Sequence, residues 1–228
     1  ELKHGSGKQI AFIASPYDTV EDNFVLKRFA TEVFKSPYFG LIPHEVPGDQ
    51  DDFLVREDKT PNRAGVQFLT GESSGMDAIM QGLKDQEIKI LVVMDRNAHD
   101  YPGLMAAIGD NVYVIAITSN HSPLTERADA ILAGSTFAEK AGTMMNFEQH
   151  LQLLHPAMVT AENERWMGSF SMSRLDKFGS RFDHWGKIVR PDCRTPWSII
   201  ARIAALMGAD WNYKHPEDVF DDMAATIP

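Results

Sequence analysis

Three short apolar runs, separated by helical patterns, limit the folds open to this chain more than any other feature. They are Gln9–Ser15 (QIAFIAS), Ile88–Met94 (IKILVVM) and Asn111–Thr118 (NVYVIAIT), and each has the length of a buried strand. Strands that are apolar throughout and alternate with helices are typical of a parallel sheet covered on both faces. Right-handed crossovers then give a doubly wound, mostly parallel, Rossmann-like α/β fold.

The intervening patterns predict the helices. Thr19 followed by Asp22 is a helix-capping pattern, and apolar residues recur after it at the spacing of one helical face. The remaining predicted elements are a helix over Gly75–Leu83, a helix from Pro102 to Ala107, a buried edge strand over Ala128–Leu132, and two helices that begin at Thr195-Pro196 and His215-Pro216.

These patterns divide the chain into three parts. Residues 1–8 precede the first strand and are interpreted as a terminus, either a cut end of a longer protein or an expression remnant. Residues 9–156 form the predicted α/β domain. Residues 157–228 are predicted to be an irregular segment followed by C-terminal helices that pack on that domain.

Two stretches outside the regular pattern allow alternative interpretations. Lys35–Gly71 is rich in Pro and Gly, and Phe53–Val55 within it predicts an ordered, packed excursion. Arg63 in this stretch could bind an anion or pair with a carboxylate, and the pairing is the stronger interpretation. The aromatic residues between Trp166 and Trp197 could form a partner surface or cover one edge of the sheet.

Composition excludes several functions. The formal net charge of −10 argues against a nucleic-acid partner, because phosphate neutralisation needs clustered Lys and Arg. No apolar run approaches the ~20 residues that cross a bilayer, so we expect no membrane insertion. The single cysteine, Cys193, can neither form an internal disulfide nor hold an iron–sulfur cluster, which favours a reducing, cytoplasmic setting.

The sequence lacks recognisable catalytic motifs. The run GSGK at 5–8 precedes the first strand, whereas a phosphate loop follows one, and no dinucleotide fingerprint follows Ser15. The histidines show no metal-ligand spacing. Asp183-His184 lies near Ser180, but no nucleophile elbow surrounds that serine. We therefore predict no catalytic and no metal-binding residue.

The segment Ser122–Gln152 is the most specific part of the chain. It begins with a helix-capping serine followed by Pro123, a good first helical residue. The Gly134–Thr136 turn places N–H and hydroxyl groups at the carboxyl end of the edge strand, where open α/β sheets bind ligands. Asn146 and Gln152 add amide groups on the extended strand that follows. Alternatively, these polar residues satisfy backbone groups at a tight chain crossing.

The sequence of this segment resembles a signature of the molybdopterin oxidoreductase superfamily. The run FAEKAGTMMNFE is most similar to a C-terminal region of the large iron–sulfur subunit of NADH–quinone oxidoreductase. The stretches SP at 15–16, EDN at 21–23, DKTPNRAG at 58–65 and ILVVMDRNA at 90–98 agree with it. The signature residues are Thr125, Ala128, Asp129, Glu139, Lys140, Gly142, Thr143, Asn146 and Gln152.

The resemblance implies a subdomain of a much larger subunit, whose iron–sulfur clusters are bound by cysteine segments elsewhere. In catalytic relatives such as formate dehydrogenases, the related α/β domain helps to bind a molybdopterin dinucleotide. By that analogy, the residues facing the nucleotide part of the cofactor would be Asp95, Arg96, Asn97, Ser119, Asn120, Ser122 and Thr125.

Several departures from the superfamily pattern favour the branch without that cofactor. Asp95 stands where relatives carry Gly, and its charge would oppose a bound phosphate. Ala133 replaces Pro, Ala141 replaces an acidic residue, and Gln149-His150 replaces Gly-Arg.

The resemblance then implies a non-catalytic α/β domain on the cytoplasmic side of a respiratory complex. Such a domain contacts other subunits of the complex and holds no cofactor itself, while electrons run from NADH through iron–sulfur clusters elsewhere in the parent chain. The alternative is the cofactor-binding domain of a molybdopterin enzyme such as a formate dehydrogenase.

Overall fold

The computed structural model describes residues 7–71, 74–163 and 191–227. Its centre is a five-stranded parallel sheet in the order β2-β1-β3-β4-β5. Helices flank the sheet, so the predicted doubly wound parallel α/β fold is confirmed. The strands are β1 (Ile10–Ala14), β2 (Tyr38–Leu41), β3 (Ile90–Val93), β4 (Tyr113–Thr118) and β5 (Ala130–Ala133), with a separate antiparallel pair, β6 (Gly142–Met145) and β7 (Leu151–Leu154).

The helices lie on both faces of the sheet. They are α1 (Val20–Arg28), α2 (Arg63–Thr70), α3 (Met76–Lys84), α4 (Leu104–Ala107), α5 (Pro123–Arg127), α6 (Pro196–Leu206) and α7 (Pro216–Thr226). Successive strand residues point to opposite faces of the sheet, so they belong alternately to two buried clusters. Phe12 and Val92 pack with α1, α2, α6 and α7, whereas Ile13 and Leu91 pack with α3, α4 and α5.

The predicted helix caps are present. The Thr19 hydroxyl accepts the amide N–H of Asp22 at 3.2 Å, and the Asp22 carboxylate accepts the amide N–H of Thr19 at 3.1 Å. This reciprocal capping box fixes the start of α1, which ends in one π-helical turn over Phe29–Val33. Ser122 caps α5 in the same way, with Thr125 as its partner.

The two C-terminal helices begin at the predicted residues, Pro196 and Pro216. Both pack against α1, and Trp197 and Val219 belong to the same buried cluster as Phe24. The boundary between residues 156 and 157 remains a prediction. Most of the aromatic stretch between Trp166 and Trp197 lies outside the described residues. The group of Ser180, Asp183 and His184 lies wholly outside them.

The stretch Lys35–Gly71 is more regular than predicted, because it contains β2 and α2. The sequence hides β2, since this strand has only four residues and includes Gly40. A Cβ atom at Gly40 would lie 2.7 Å from the Ile79 side chain, so a larger residue would displace the side chains of α3 that cover the strand.

The prediction that Phe53–Val55 is packed was wrong. Phe53 is 93% exposed and Leu54 is 79% exposed. The loop is ordered by a polar contact instead, because one oxygen of Asp51 accepts the amide N–H groups of Phe53, Leu54 and Val55 at 2.5–2.9 Å.

Three further features differ from the predictions: the start of α4, the burial of β5 and the position of Asn146. Helix α4 begins at Leu104 and not at Pro102, because Gly103 adopts a left-handed conformation (φ 79°) before it. Strand β5 is half-exposed at the sheet edge, with Ile131 50% exposed, and is not buried. The segment after it forms the β6–β7 pair, and Asn146 lies in the connecting turn, not on one extended strand.

The described ranges contain no helix that combines the length and the apolar character needed to cross a bilayer.

Candidate functional site

A narrow cleft lies at the carboxyl edge of the parallel sheet. With the strand order 2-1-3-4-5, the connections on the two sides of the β1/β3 pair lead away from each other, which makes this pair the topological switch point. The cleft is formed by residues that follow β1, β3, β4 and β5. Its polar lining includes Tyr17, Asp18, Arg96, Thr118, Ser119, Ser135 and Thr136.

Arg96 is the cation of this cleft. Its guanidinium carbon lies 4.2 Å from the centre of the Tyr17 ring, and no carboxylate of the described residues forms an ion pair with it. Asn97 donates from its side chain to the Tyr17 hydroxyl at 3.2 Å. Burial raises the pKa of Tyr17, so the phenol is neutral and forms no ion pair with Arg96.

Asp95 lies below the cleft and is not part of its lining. Its side chain is fully buried, and one oxygen is 2.7 Å from Nε2 of His44 while the other accepts the amide N–H of Asn97 at 2.8 Å. His44 also contacts the Tyr17 ring, with 5.2 Å between ring centres. The predicted carboxylate therefore positions the Tyr17–Arg96 pair, through a histidine that the sequence did not single out.

The other predicted cofactor contacts divide into two groups. The Ser119 hydroxyl donates to the side chain of Asn120 at 2.7 Å, and both residues lie at the carboxyl end of β4, with Ser119 in the cleft. Ser122 and Thr125 instead bond to each other as the capping box of α5. Their hydroxyls are thus engaged in helix capping, away from the residues that line the cleft.

Ser135 was predicted on the turn after the edge strand, and it lies in the cleft. The residue is 4% exposed, and its hydroxyl has no hydrogen-bond partner among the described residues. Its amide N–H donates to the carbonyl of Arg194 at 2.8 Å, which holds the turn against the start of α6. A buried hydroxyl without a partner is a feature that a ligand oxygen can satisfy.

Asn146 and Gln152 are not brought to this cleft. They line a wider cavity of about 600 Å³ between α2 and the β6–β7 pair. The arginines of that cavity have partners: Arg63 pairs with Glu45, and the Arg56 guanidinium lies 3.6 Å from the centre of the Phe147 ring. The interpretation of Arg63 as a carboxylate partner is confirmed.

The signature segment forms a buried polar network behind the cleft. The Lys140 ammonium contacts the carboxylates of Asp18 and Asp22, and Lys140 is 1% exposed. Burial acts to lower the pKa of Lys140, but the two carboxylates outweigh it and hold this pKa above its ordinary value. The lysine therefore joins the loop after β1 to the segment that precedes β6.

The same network includes two further residues of the matching stretches. Glu21 accepts the amide N–H of Thr143 at 2.8 Å and its hydroxyl at 3.0 Å. Burial raises the pKa of the Glu21 carboxyl to about 7, although both bonds from Thr143 act in the opposite direction. Asn62 accepts the amide N–H of Met145 at 2.8 Å and donates to the carbonyl of Asp18 at 2.7 Å. Residues of the matching stretches thus hold α1, the start of α2 and β6 together.

Neither the cleft nor the network offers a set of metal ligands. No group of three or more His, Cys, Asp or Glu side chains suited to a metal ion occurs within residues 7–71, 74–163 and 191–227. Cys193 is a free thiol, and burial, then the charge of Glu139, raises its pKa to about 11.

Comparison with known proteins gives this arrangement a context. No protein-family model matches the chain. The "Putative formate dehydrogenase YrhE" of Bacillus subtilis (strain 168) is 24% identical over 201 residues. Proteins of the same description from Staphylococcus haemolyticus and Staphylococcus aureus (strain USA300) are 26% identical over 199 residues and 31% identical over 201 residues. This chain is similar to proteins named as formate dehydrogenases.

Each of these similarities covers 83% of the chain but only 17% of the relative. They support an oxidoreductase relation of the molybdopterin type, and they favour the alternative interpretation over the NADH–quinone one. The chain spans about a sixth of the length of these relatives.

Proposed function

We propose that this chain is the α/β domain of a molybdopterin-type oxidoreductase related to formate dehydrogenases, and that a phosphate of the cofactor's nucleotide part binds at its switch-point cleft. The observation that carries the proposal is that one cleft contains both the Arg96 guanidinium and the Ser135 hydroxyl, and that among the described residues the first has no ion-pair partner and the second no hydrogen-bond partner. A phosphate oxygen accepts hydrogen bonds from both kinds of donor.

The donor groups of the cleft suit a phosphate, and the enclosed volume of about 10 Å³ places the rest of the nucleotide outside the cleft, at the carboxyl edge of the sheet. Arg96 supplies a positive charge that is held in place by the Tyr17 ring, and Ser119, Ser135 and Thr136 supply hydroxyls. Two carboxylates lie close to the bound anion, and both have partners. Asp95 is buried beneath the cleft and engaged by His44 and Asn97, and Asp18 in the lining pairs with Lys140. When bound, the cofactor supplies the redox chemistry, and the residues of this domain bind and orient its nucleotide.

The proposal is tested on the full-length parent protein, produced in a host that loads a known molybdoenzyme. We expect molybdenum or tungsten by metal analysis and a pterin nucleotide by extraction and chromatography. Arg96→Gln should lower the cofactor occupancy at least fivefold, whereas Arg56→Gln, at an exposed arginine outside the cleft, should not change it. A parent protein without metal and pterin would refute the proposal.

A second candidate is a structural domain of an NADH–quinone oxidoreductase-like complex, with iron–sulfur clusters elsewhere in the parent and other subunits as partners. It is favoured by the internal use of the residues that carry the resemblance, since the signature residues Lys140 and Thr143, and Asn62 of the matching stretch 58–65, bond to the domain itself. This candidate expects iron and sulfide in the parent, NADH oxidation, and neither molybdenum nor pterin. The same metal and pterin analysis therefore decides between the two.

A further inference from the structure

A second basic cavity lies between the starts of α6 and α7. Its volume is about 530 Å³, and its lining includes Glu162, Arg194, Thr195, Trp197, Arg202 and Lys214. It is separate from the switch-point cleft, because the two share no lining residue. No predicted site residue and no step of the proposed function uses it.

The cavity concentrates positive charge in a chain whose net charge is −10. Arg194, Arg202 and Lys214 contribute three cations, and Glu162 is the carboxylate among the lining residues. Glu162 is already engaged, since its oxygens accept the amide N–H of Thr195 at 2.6 Å and the hydroxyl of Ser198. Arg194 also approaches Asp192 at 3.4 Å, but that contact is exposed to solvent and weak.

Two residues that line this cavity each carry a buried polar atom without a hydrogen-bond partner among the described residues. These atoms are the Thr195 hydroxyl and the indole nitrogen of Trp197, in residues that are 5% and 6% exposed. Thr195 occupies the N-cap position of α6 but makes no capping bond. Asp22 of α1 takes over this role, because its carboxylate accepts the amide N–H of Trp197 in the first turn of α6 at 2.9 Å.

The unpartnered groups indicate what the cavity binds. An indole N–H is a donor only, and so are the guanidinium and ammonium groups around it. A ligand that satisfies them must present several acceptor oxygens and negative charge, and a cation is excluded by the three cations already present. A tetrahedral oxyanion meets both conditions, and Arg is suited to bind it with two parallel hydrogen bonds.

We propose that this cavity binds a phosphate group, free or as the phosphoryl group of a small molecule. The phosphate oxygens accept from Arg202, Arg194 and Lys214 at the mouth and from Thr195 and Trp197 at the wall. The site is independent of the cofactor cleft, so each of the two proposals stands or fails without the other.

The test is titration of the full chain with inorganic phosphate at constant ionic strength, followed by calorimetry. Wild-type protein should bind phosphate saturably at this cavity, and Arg202→Gln should weaken the affinity of that site at least tenfold. Thr195→Val should weaken it at least threefold, since it removes one donor and keeps the shape. Arg56→Gln and Arg96→Gln, each with the same loss of charge outside this cavity, should leave this affinity unchanged.

Three outcomes would overturn the proposal. One is the absence of saturable phosphate binding by the wild type. Another is binding that Arg96→Gln abolishes and Arg202→Gln preserves, which would assign the anion to the cofactor cleft. The third is equal weakening by Arg202→Gln and Arg56→Gln, which would show attraction by overall charge. Circular dichroism of each variant establishes that it is folded, and titration with glycerol 3-phosphate separates free phosphate from a phosphate ester as ligand.

Discussion

The Lys140 ammonium lies 2.8 Å from a carboxylate oxygen of Asp22, although 118 residues separate them, and neither side chain is more than 1% exposed. Asp18 contacts the same ammonium. Two carboxylates thus share one buried cation at the point where the loop after β1, helix α1 and the signature segment meet. A buried ion pair adds little by itself, but its disruption leaves an uncompensated buried charge.

We therefore expect Lys140→Met to lower the free energy of unfolding by about 3–5 kcal/mol at pH 7, because Asp18 and Asp22 lose their shared cation. Urea denaturation followed by circular dichroism measures the change. Lys59→Met is the matched control, since Lys59 pairs with Asp49 at 2.8 Å on the surface and should cost at most about 1 kcal/mol. Equal losses in the two variants would contradict the buried network.

Glu21 should make the stability of the domain pH-dependent. Its pKa is about 7 when folded and 4.5 ordinarily, so the folded state keeps its proton while the unfolded state releases it. Stability therefore falls as the pH rises from 4.5 to 7 and does not fall further for this reason above 7. The difference between the folded and unfolded pKa values corresponds to a loss of about 3 kcal/mol in the free energy of unfolding.

Glu21→Gln removes this titration and keeps an acceptor for Thr143. Relative to wild type, the free energy of unfolding of this variant should increase by about 3 kcal/mol between pH 4.5 and pH 8. Urea denaturation at each pH measures it. Glu148→Gln, at an exposed carboxylate, should follow the wild-type pH profile. A constant difference between Glu21→Gln and wild type over the whole range would show that Glu21 is ionised normally.

Asn62→Ala should destabilise the domain by about 2–4 kcal/mol, because it leaves the amide N–H of Met145 and the carbonyl of Asp18 without their partner. Chemical denaturation checks this value. Asn212→Ala, at an exposed asparagine, should change the stability by less than about 0.5 kcal/mol. An Asn62→Ala variant as stable as wild type would mean that water replaces both hydrogen bonds.

Cys193 should react slowly with iodoacetamide in the folded protein. Burial and the charge of Glu139 raise its pKa to about 11, and only the thiolate reacts. At pH 8 we expect alkylation to be about 10- to 100-fold slower in buffer than in 8 M urea. Because the chain has one cysteine, mass spectrometry reports this site alone. Equal rates in the two conditions would contradict the raised pKa.

Much of the fold follows from local patterns in the sequence. The apolar runs around Phe12, Val92 and Ile115 specify strands buried on both faces, and Thr19 with Asp22 specifies the start of α1, because strand periodicity and helix capping involve residues close in the chain. The strand β2 escapes this reasoning. Its four residues carry no period, and its Gly40 is explained only by the contact with α3.

The candidate site shows the same division. Ser135 was predicted from its position, since open parallel sheets bind ligands at the carboxyl ends of their strands. Arg96 and Ser119 were predicted from the resemblance to molybdopterin oxidoreductases. The Ser122 cap was also predicted. The buried pairing of His44 with Asp95, and the part that Thr125 plays in the cap, depend on hydrogen bonds that the sequence does not reveal.

The sequence by itself determined the parallel α/β architecture, the helix starts and the similarity to a family of oxidoreductases. The tertiary structure alone decided which polar residues support the fold and which face a cleft. Lys140 bonds to Asp18 and Asp22, whereas Arg96 pairs with no described carboxylate. The reason is physical: the cost of burying a charge depends on partners that lie more than a hundred residues away in the chain.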